Sequence, residues 1–156
     1  MPDSFEFDAF TPPVPLVIHI EDDEGDARMV ARSLTRARCR ARIVRVVDGR
    51  EAFTMIDSVA NGSFERPDLV LLDLKLPYAS GIEVLQRARS YEQLSGLPIV
   101  VLTSSDVELD HRLCTEFGCT EYAVKPIDYF DFMVSLKEIF ERYILPLHQA
   151  DQCQLR

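Results

Sequence analysis

The sequence predicts a doubly wound α/β domain in which five parallel strands alternate with five helices. Three observations carry that prediction. The run Leu69-Val70-Leu71-Leu72 is purely apolar, is bounded by Asp68 and Asp73, and is followed by the breakers Pro77 and Gly81. A run so short and so uniform suits a strand covered on both faces, which is how parallel sheets are built. Similar runs recur along the chain, with stretches of helical period between them. Polar residues stand at the end of every strand but the second: Glu21 and Asp22, Asp73, Thr103 and Lys125. In an open parallel sheet those ends share one edge, where ligands bind.

The elements follow in order. Residues 1–15 hold Pro2, Pro12, Pro13 and Pro15 among Phe5, Phe7 and Phe10, and are expected to form an N-terminal arm. Leu16 to Ile20 is the first strand; His19 within it is expected to be a hydrogen-bonded core or boundary histidine. Asp26 to Arg38 places Ala27, Val30, Ala31 and Leu34 at helical spacing. Ile43 to Val47 is the second strand, and Ala52, Phe53, Ile56 and Val59 mark the second helix, which Asn61-Gly62-Ser63 ends. Leu69 to Leu72 is the third strand, and Glu83 to Arg89 the third helix. Ile99 to Leu102 is the fourth strand. Asp106 is expected to cap a fourth helix with Leu109, Leu113 and Phe117 on one side and Gly118 at its close. Tyr122 to Val124 is the fifth strand. Asp128 opens a last helix that Pro146 interrupts, so the domain is expected over 16–145 with a tail at 146–156.

Composition narrows the class. Hydrophobic residues make up 47% and charged residues 28% of 156, as in a soluble globular protein of one domain. A net charge of −9 argues against a nucleic-acid surface, since phosphate backbones reward clustered Lys and Arg. The arginines between Arg28 and Arg50 read as a solvated helix face and strand edge. No stretch is long and apolar enough to cross a membrane, and a cytoplasmic location is expected. Cys39, Cys114, Cys119 and Cys153 have neither zinc-type nor redox-type spacing and are expected to be reduced.

Three carboxylates, one hydroxyl and one ammonium at one sheet edge make a specific combination. Two carboxylates about 5 Å apart at an effective dielectric near 20 repel by roughly 3 kcal/mol. Lys125 answers part of that repulsion, and a hard divalent cation, best Mg²⁺, answers the rest. The arrangement is then half of a phosphoryl-transfer centre, with a carboxylate to attack phosphorus and cations to neutralise its oxygens. Taken singly, the residues have ordinary explanations: Asp73 as a turn carboxylate, Thr103 and Ser104 as helix caps, Tyr122 as core, and Lys125 as a loop lysine.

Ile20-Glu21-Asp22-Asp23, Leu71-Leu72-Asp73-Leu74-Lys75-Leu76-Pro77 with Gly81, Val101-Leu102-Thr103-Ser104 and Val124-Lys125-Pro126 together resemble the receiver domain of two-component response regulators, over about residues 16–144. The resemblance implies a flavodoxin-like sheet of strand order 2-1-3-4-5, a fold that general accounts illustrate with a receiver. It implies Asp73 as phospho-acceptor, Glu21 and Asp22 as the acidic pair for Mg²⁺, and the Lys75 backbone carbonyl as a further ligand beside Asp73. It also implies Thr103 and Lys125 as phosphoryl contacts and Tyr122, with Thr103, as the switch. The partner would be a sensor histidine kinase. The longer loop at 61–66 is similar to that of stand-alone receivers paired with bacterial phytochrome kinases. Lys75 departs from the pattern by placing a long cation at the mouth, where it would alter the dephosphorylation rate.

Output is expected through protein contact, not enzymatic turnover. An aspartate-nucleophile phosphohydrolase is the alternative, but such enzymes usually carry a second Asp two residues after the nucleophile, where this chain has Lys75. The other alternative is a receiver-like scaffold that takes no phosphate. The last helix carries Phe132, Leu136, Ile139, Phe140, Tyr143 and Ile144, a stripe wider than one sheet face should cover. That width predicts a homodimer through the fourth helix, fifth strand and fifth helix, with the tail after Pro146 reaching across.

Overall fold

In a computed structural model of the chain, residues 14–148 are described. The expectations for the arm at 1–13, the end of the tail at 149–156 and Cys153 lie outside them. The strands are β1 (Leu16–Ile20), β2 (Arg42–Val46), β3 (Leu69–Leu72), β4 (Ile99–Thr103) and β5 (Glu121–Val124). The helices are α1 (Glu24–Arg36), α2 (Gly49–Ala60), α3 (Gly81–Ser90), α4 (Glu108–Glu116) and α5 (Tyr129–Tyr143), with a 3₁₀ turn at Glu92–Leu94. All strand pairs are parallel, as the apolar runs predict, and the order is β2-β1-β3-β4-β5, as the receiver resemblance implies.

The central strand shows why its run is uniformly apolar. Leu69 and Leu71 face a layer built from Val30 and Leu34 of α1 and Phe132, Leu136, Ile139 and Phe140 of α5. Val70 and Leu72 face the other layer, with Ile56, Val84, Leu85 and Cys114 of α2, α3 and α4. Alternate side chains of one strand thus serve two cores. Helix starts are set by side-chain caps: Asp23, Asp48, Ser80 and Asp128 each accept from a backbone N–H of their first turn.

Three expectations change. Asp106 does not cap α4: the helix starts at Glu108 after Val107, with no side-chain cap. Ser105 takes the local role, donating its hydroxyl to Asp110 Oδ2 at 2.6 Å while its Oγ accepts from Val107 N–H at 3.4 Å. The expected apolar side of α4 also shifts, because Leu109 is exposed and Cys114 is the buried residue. Pro146 does not break the last helix: α5 ends at Tyr143, and Pro146 lies inside a further helical turn at 145–148. A proline fits an early helical position, where its missing N–H has no partner to lose.

The wide α5 stripe is covered by the chain itself. Phe132, Leu136, Ile139, Phe140 and Ile144 are all buried. They fill the space between the sheet and α1, not a contact with α4. The Tyr143 hydroxyl donates to Glu121 Oε2 at 2.9 Å. The width of the stripe therefore reflects a helix seated between a sheet and a neighbouring helix, and it gives no reason for a second copy.

His19 is buried, 2% exposed. It lines a cavity of about 240 Å³ with Glu24, Arg28 and Arg45, where water can meet its polar atoms. Burial, with Lys125 and Arg45 nearby, lowers its pKa to about 3. A histidine neutral in the fold and protonated in the unfolded chain costs stability as pH falls from about 6.5 towards 3. His19→Leu should therefore remove about 2 kcal/mol of the stability lost between pH 7 and pH 5. Urea denaturation of both proteins at the two pH values measures this; identical losses would contradict it.

Candidate functional site

The carboxyl edge of the sheet gathers side chains that are far apart in sequence. Glu21 follows β1 and is 1% exposed; Asp73 follows β3 and is 6% exposed. Asp22 lies beside them in solvent, and one carboxylate oxygen of each of the three fits within 4.8 Å of the others. Lys125 follows β5, and its backbone N–H donates to the Thr103 carbonyl at 2.7 Å, which extends the ladder past the strand. Its Nζ reaches back across the edge to Glu21 Oε2 at 2.6 Å and Asp73 Oδ2 at 2.9 Å.

The loop after β3 is held by close packing. A Cβ on Gly81 would lie 2.1 Å from the Asp73 carbonyl oxygen and 2.7 Å from Leu74 Cα, so only glycine allows α3 to start so close to the loop after β3. Gly81 N–H donates to Leu74 O at 2.9 Å, and Lys75 N–H donates to Asp73 Oδ1 at 3.3 Å. The Lys75 side chain points into solvent at the mouth.

Burial and charge separate the two inner carboxylates. Burial raises the Glu21 pKa, and the bond to Lys125 offsets this only in part. Burial acts in the same direction on Asp73, but Lys125 and the Lys75 N–H outweigh it and keep the carboxyl below its ordinary value. Asp73 is thus the ionised partner, the state a nucleophile needs. Burial opposes charge on Lys125, yet bonds to Asp26, Glu21 and Asp73 raise its pKa above the usual lysine value.

Thr103 is fully buried, and its hydroxyl oxygen accepts from Ser105 N–H at 3.3 Å. Tyr122 lies further out: its hydroxyl donates to the Ser105 carbonyl at 2.8 Å and its ring stacks on His111, with centroids 4.7 Å apart. The edge therefore brings together Glu21, Asp22, Asp73 and Lys125, with Thr103 on the adjoining strand and Tyr122 linked to it through Ser105.

One residue of the site went unremarked in the sequence. Asp26, on the first turn of α1, accepts from Lys125 Nζ at 2.7 Å. Its signal was the spacing, an acid three residues after the cap Asp23, which is also what an ordinary first-turn acid looks like. The three cysteines among the described residues are unpaired and lie away from this edge; burial pushes Cys114 up to about 12.

The chain resembles known proteins over most of its length. A model described as the response regulator receiver domain matches residues 17–137. The probable methanogenesis regulatory protein FilR2 of Methanothrix harundinacea is 31% identical over 129 residues, 83% of this chain and 83% of that protein. For AfsQ1 of Streptomyces coelicolor the match takes in 46% of the regulator, so the chain spans about half of that relative. The phosphorylated cyanobacterial phytochrome response regulator RcpA superposes with a TM-score of 0.78 at 30% identity, covering 84% of this chain and 94% of that one. The Mn²⁺-bound form of the response regulator Rcp1 gives 0.75 at 28%, covering 81% and 91%.

If Lys125 and a divalent cation share the same oxygens, removing the ammonium should make the fold depend on the cation. Lys125→Met leaves Glu21 and Asp73 buried without a cationic partner and should cost about 3 kcal/mol or more. Millimolar Mg²⁺ should then raise the melting temperature of the variant well beyond its effect on the wild type. Equal Mg²⁺ increments in calorimetry would show that the two do not compete.

Proposed function

This chain belongs to the response regulator receiver family, and from that premise we propose that Asp73 accepts a phosphoryl group from a sensor histidine kinase and so switches a protein-binding face. The observation that carries the proposal is Lys125 Nζ lying between Glu21 Oε2 and Asp73 Oδ2. An Asp73 carboxylate oxygen attacks phosphorus of a phosphohistidine. The O–P bond forms as the N–P bond breaks, and the imidazole leaves with the electron pair. Lys125 offsets the charge on the phosphoryl oxygens, and the Thr103 hydroxyl donates to one of them.

Glu21, Asp22, Asp73 and the Lys75 backbone carbonyl are the groups proposed to hold Mg²⁺. The donor set suits it: oxygen only, two or three carboxylates, open to water on the Asp22 side. A bound Mg²⁺ would supply charge neutralisation at the transferring phosphoryl group. Rcp1, which has an Mn²⁺-bound form, is the relative that supports this part.

Phosphorylation adds about −1.5 to −2 charge at Asp73. Thr103 turns toward that charge, and the Ser105 carbonyl that holds the Tyr122 hydroxyl moves with the loop. Thr103 and Tyr122 are thus proposed as the switch for the face made by α4 and β5. The likeness to RcpA supports a bacterial phytochrome as the kinase, and a cytoplasmic location belongs to the same reading. Val107, Leu109 and Val124 are 53%, 51% and 42% exposed on the face of α4 and β5. They, and not the buried α5 stripe, support a homodimer there.

Two measurements test this. A small acyl phosphate, or the kinase, with Mg²⁺ should label the wild type and leave Asp73→Asn unlabelled; equal labelling would refute the assignment. Leu109→Asp should shift sedimentation toward monomer, and a wild type that stays monomeric at tens of micromolar would remove the dimer.

A further inference from the structure

We infer that Asp26 is a positioning residue that keeps the Lys125 ammonium at the acceptor when the oxygens of Glu21 and Asp73 are committed to a cation. The inference rests on the phosphoryl-acceptor reading of this edge. A lysine ammonium has three donors. Lys125 directs them at Glu21 Oε2, Asp26 Oδ2 and Asp73 Oδ2, at 2.6, 2.7 and 2.9 Å. Glu21 and Asp73 belong, with Asp22, to the group of oxygens close enough to share one cation, and Asp26 does not. Two of the three partners of Lys125 are therefore shared, and Asp26 is the unshared one.

The local structure fixes that role. Asp26 N–H donates to the cap Asp23 Oδ1 at 2.8 Å, and Ala27 N–H donates to the Asp23 carbonyl at 3.1 Å, so the first turn of α1 holds Asp26 in place. Its neighbour Glu24 is an ordinary first-turn acid, paired within the helix to Arg28 at 3.0 Å. Asp26 instead turns inward to a lysine 99 residues away. Its side chain is 30% exposed, against 1% for Glu21 and 7% for Asp73. It sits at the rim, where a change of charge leaves no group buried and unpaired.

As Glu21 and Asp73 give electron density to a cation, their hold on Lys125 weakens and a second positive charge stands beside it. A flexible four-carbon stem would then leave for water. Asp26 supplies both the charge and the fixed direction that prevent this. It does so without touching phosphorus or the cation.

The test follows the Lys125 Nζ protons of the full chain by nitrogen-15 NMR, with and without saturating Mg²⁺, in the wild type, Asp26→Asn and Asp26→Glu. Asp26→Asn should speed hydrogen exchange at Nζ by about 10-fold or more in Mg²⁺ and by less than about 3-fold without it, and Asp26→Glu should recover most of the protection. Phosphoryl acceptance from acetyl phosphate at saturating Mg²⁺ should slow about 5–10-fold in Asp26→Asn, with no further loss when the same change is made in Lys125→Met. Unchanged exchange in Asp26→Asn, or an equal rate loss in both backgrounds, would overturn the inference. A wild type that takes up no phosphoryl group would refute the acceptor reading alone, because the exchange measurement still decides the role of Asp26.

Discussion

One ammonium holds the functional edge of this protein together. Lys125 Nζ bonds carboxylates that follow β1, open α1 and follow β3, and does so from the loop between β5 and α5. Without it, the buried pair Glu21 and Asp73 would repel by roughly 3 kcal/mol if both were ionised at about 5 Å and an effective dielectric near 20. The bonds that stabilise this edge use one oxygen each of Glu21 and Asp73, two of the three acids that lie close enough together to share a cation. Both acids accept Lys125 Nζ and a backbone N–H, Asp73 from Lys75 and Glu21 from Asp23, but at Glu21 burial prevails, with the Asp73 charge adding to it, whereas at Asp73 Lys125, the Lys75 N–H and the Thr103 hydroxyl outweigh burial. One cation thus sets different proton affinities for two neighbouring acids.

The parallel sheet makes this convergence possible, and it is also why so much could be read in advance. A strand covered on both faces leaves an unmistakable run such as Leu69 to Leu72, and a polar residue directly after such a run must lie at the carboxyl edge. Glu21, Asp73, Thr103 and Lys125 were legible for that reason. Asp26 was not, because it enters the edge from a helix. An acid in a first turn is common, and only the direction of its side chain distinguishes Asp26 from Glu24. Gly81 was legible as a breaker, but its steric necessity against the Asp73 carbonyl appears only when α3 is in place.

The readings that failed did so at helices, where local sequence has several solutions. Asp106 had the chemistry of a cap, yet Ser105 and Asp110 formed a tighter local bond and moved the start of α4 to Glu108. The α5 stripe was judged against a flat sheet. A helix lying in the angle between the sheet and α1 buries more of its circumference, so Phe132, Leu136, Ile139, Phe140 and Ile144 all find cover within one chain. A wide apolar stripe measures how deeply a helix is embedded, and it argues for a partner only when part of it is left in solvent. The residues of this stripe are covered; the exposed apolar side chains of α5, Phe130 and Val134, lie outside it.

The same contrast separates the helices by how firmly each is held. α5 is anchored by Phe132, Met133, Leu136, Ile139 and Phe140, and its start is capped by Asp128. α4 has nine residues, no side-chain cap and one buried residue, Cys114. An element with few buried contacts has the least free energy opposing displacement. α4 is also the element joined most directly to Thr103: Ser105 donates its backbone N–H to the Thr103 hydroxyl oxygen, gives its own hydroxyl to Asp110, and offers its carbonyl to Tyr122, whose ring stacks on His111 of α4. A charge change at the end of β3 therefore meets a short chain of contacts ending on the least anchored helix, beside exposed Val107 and Leu109. Glu21 and Asp73, by contrast, follow β1 and β3, the central strands that α1 and α5 cover.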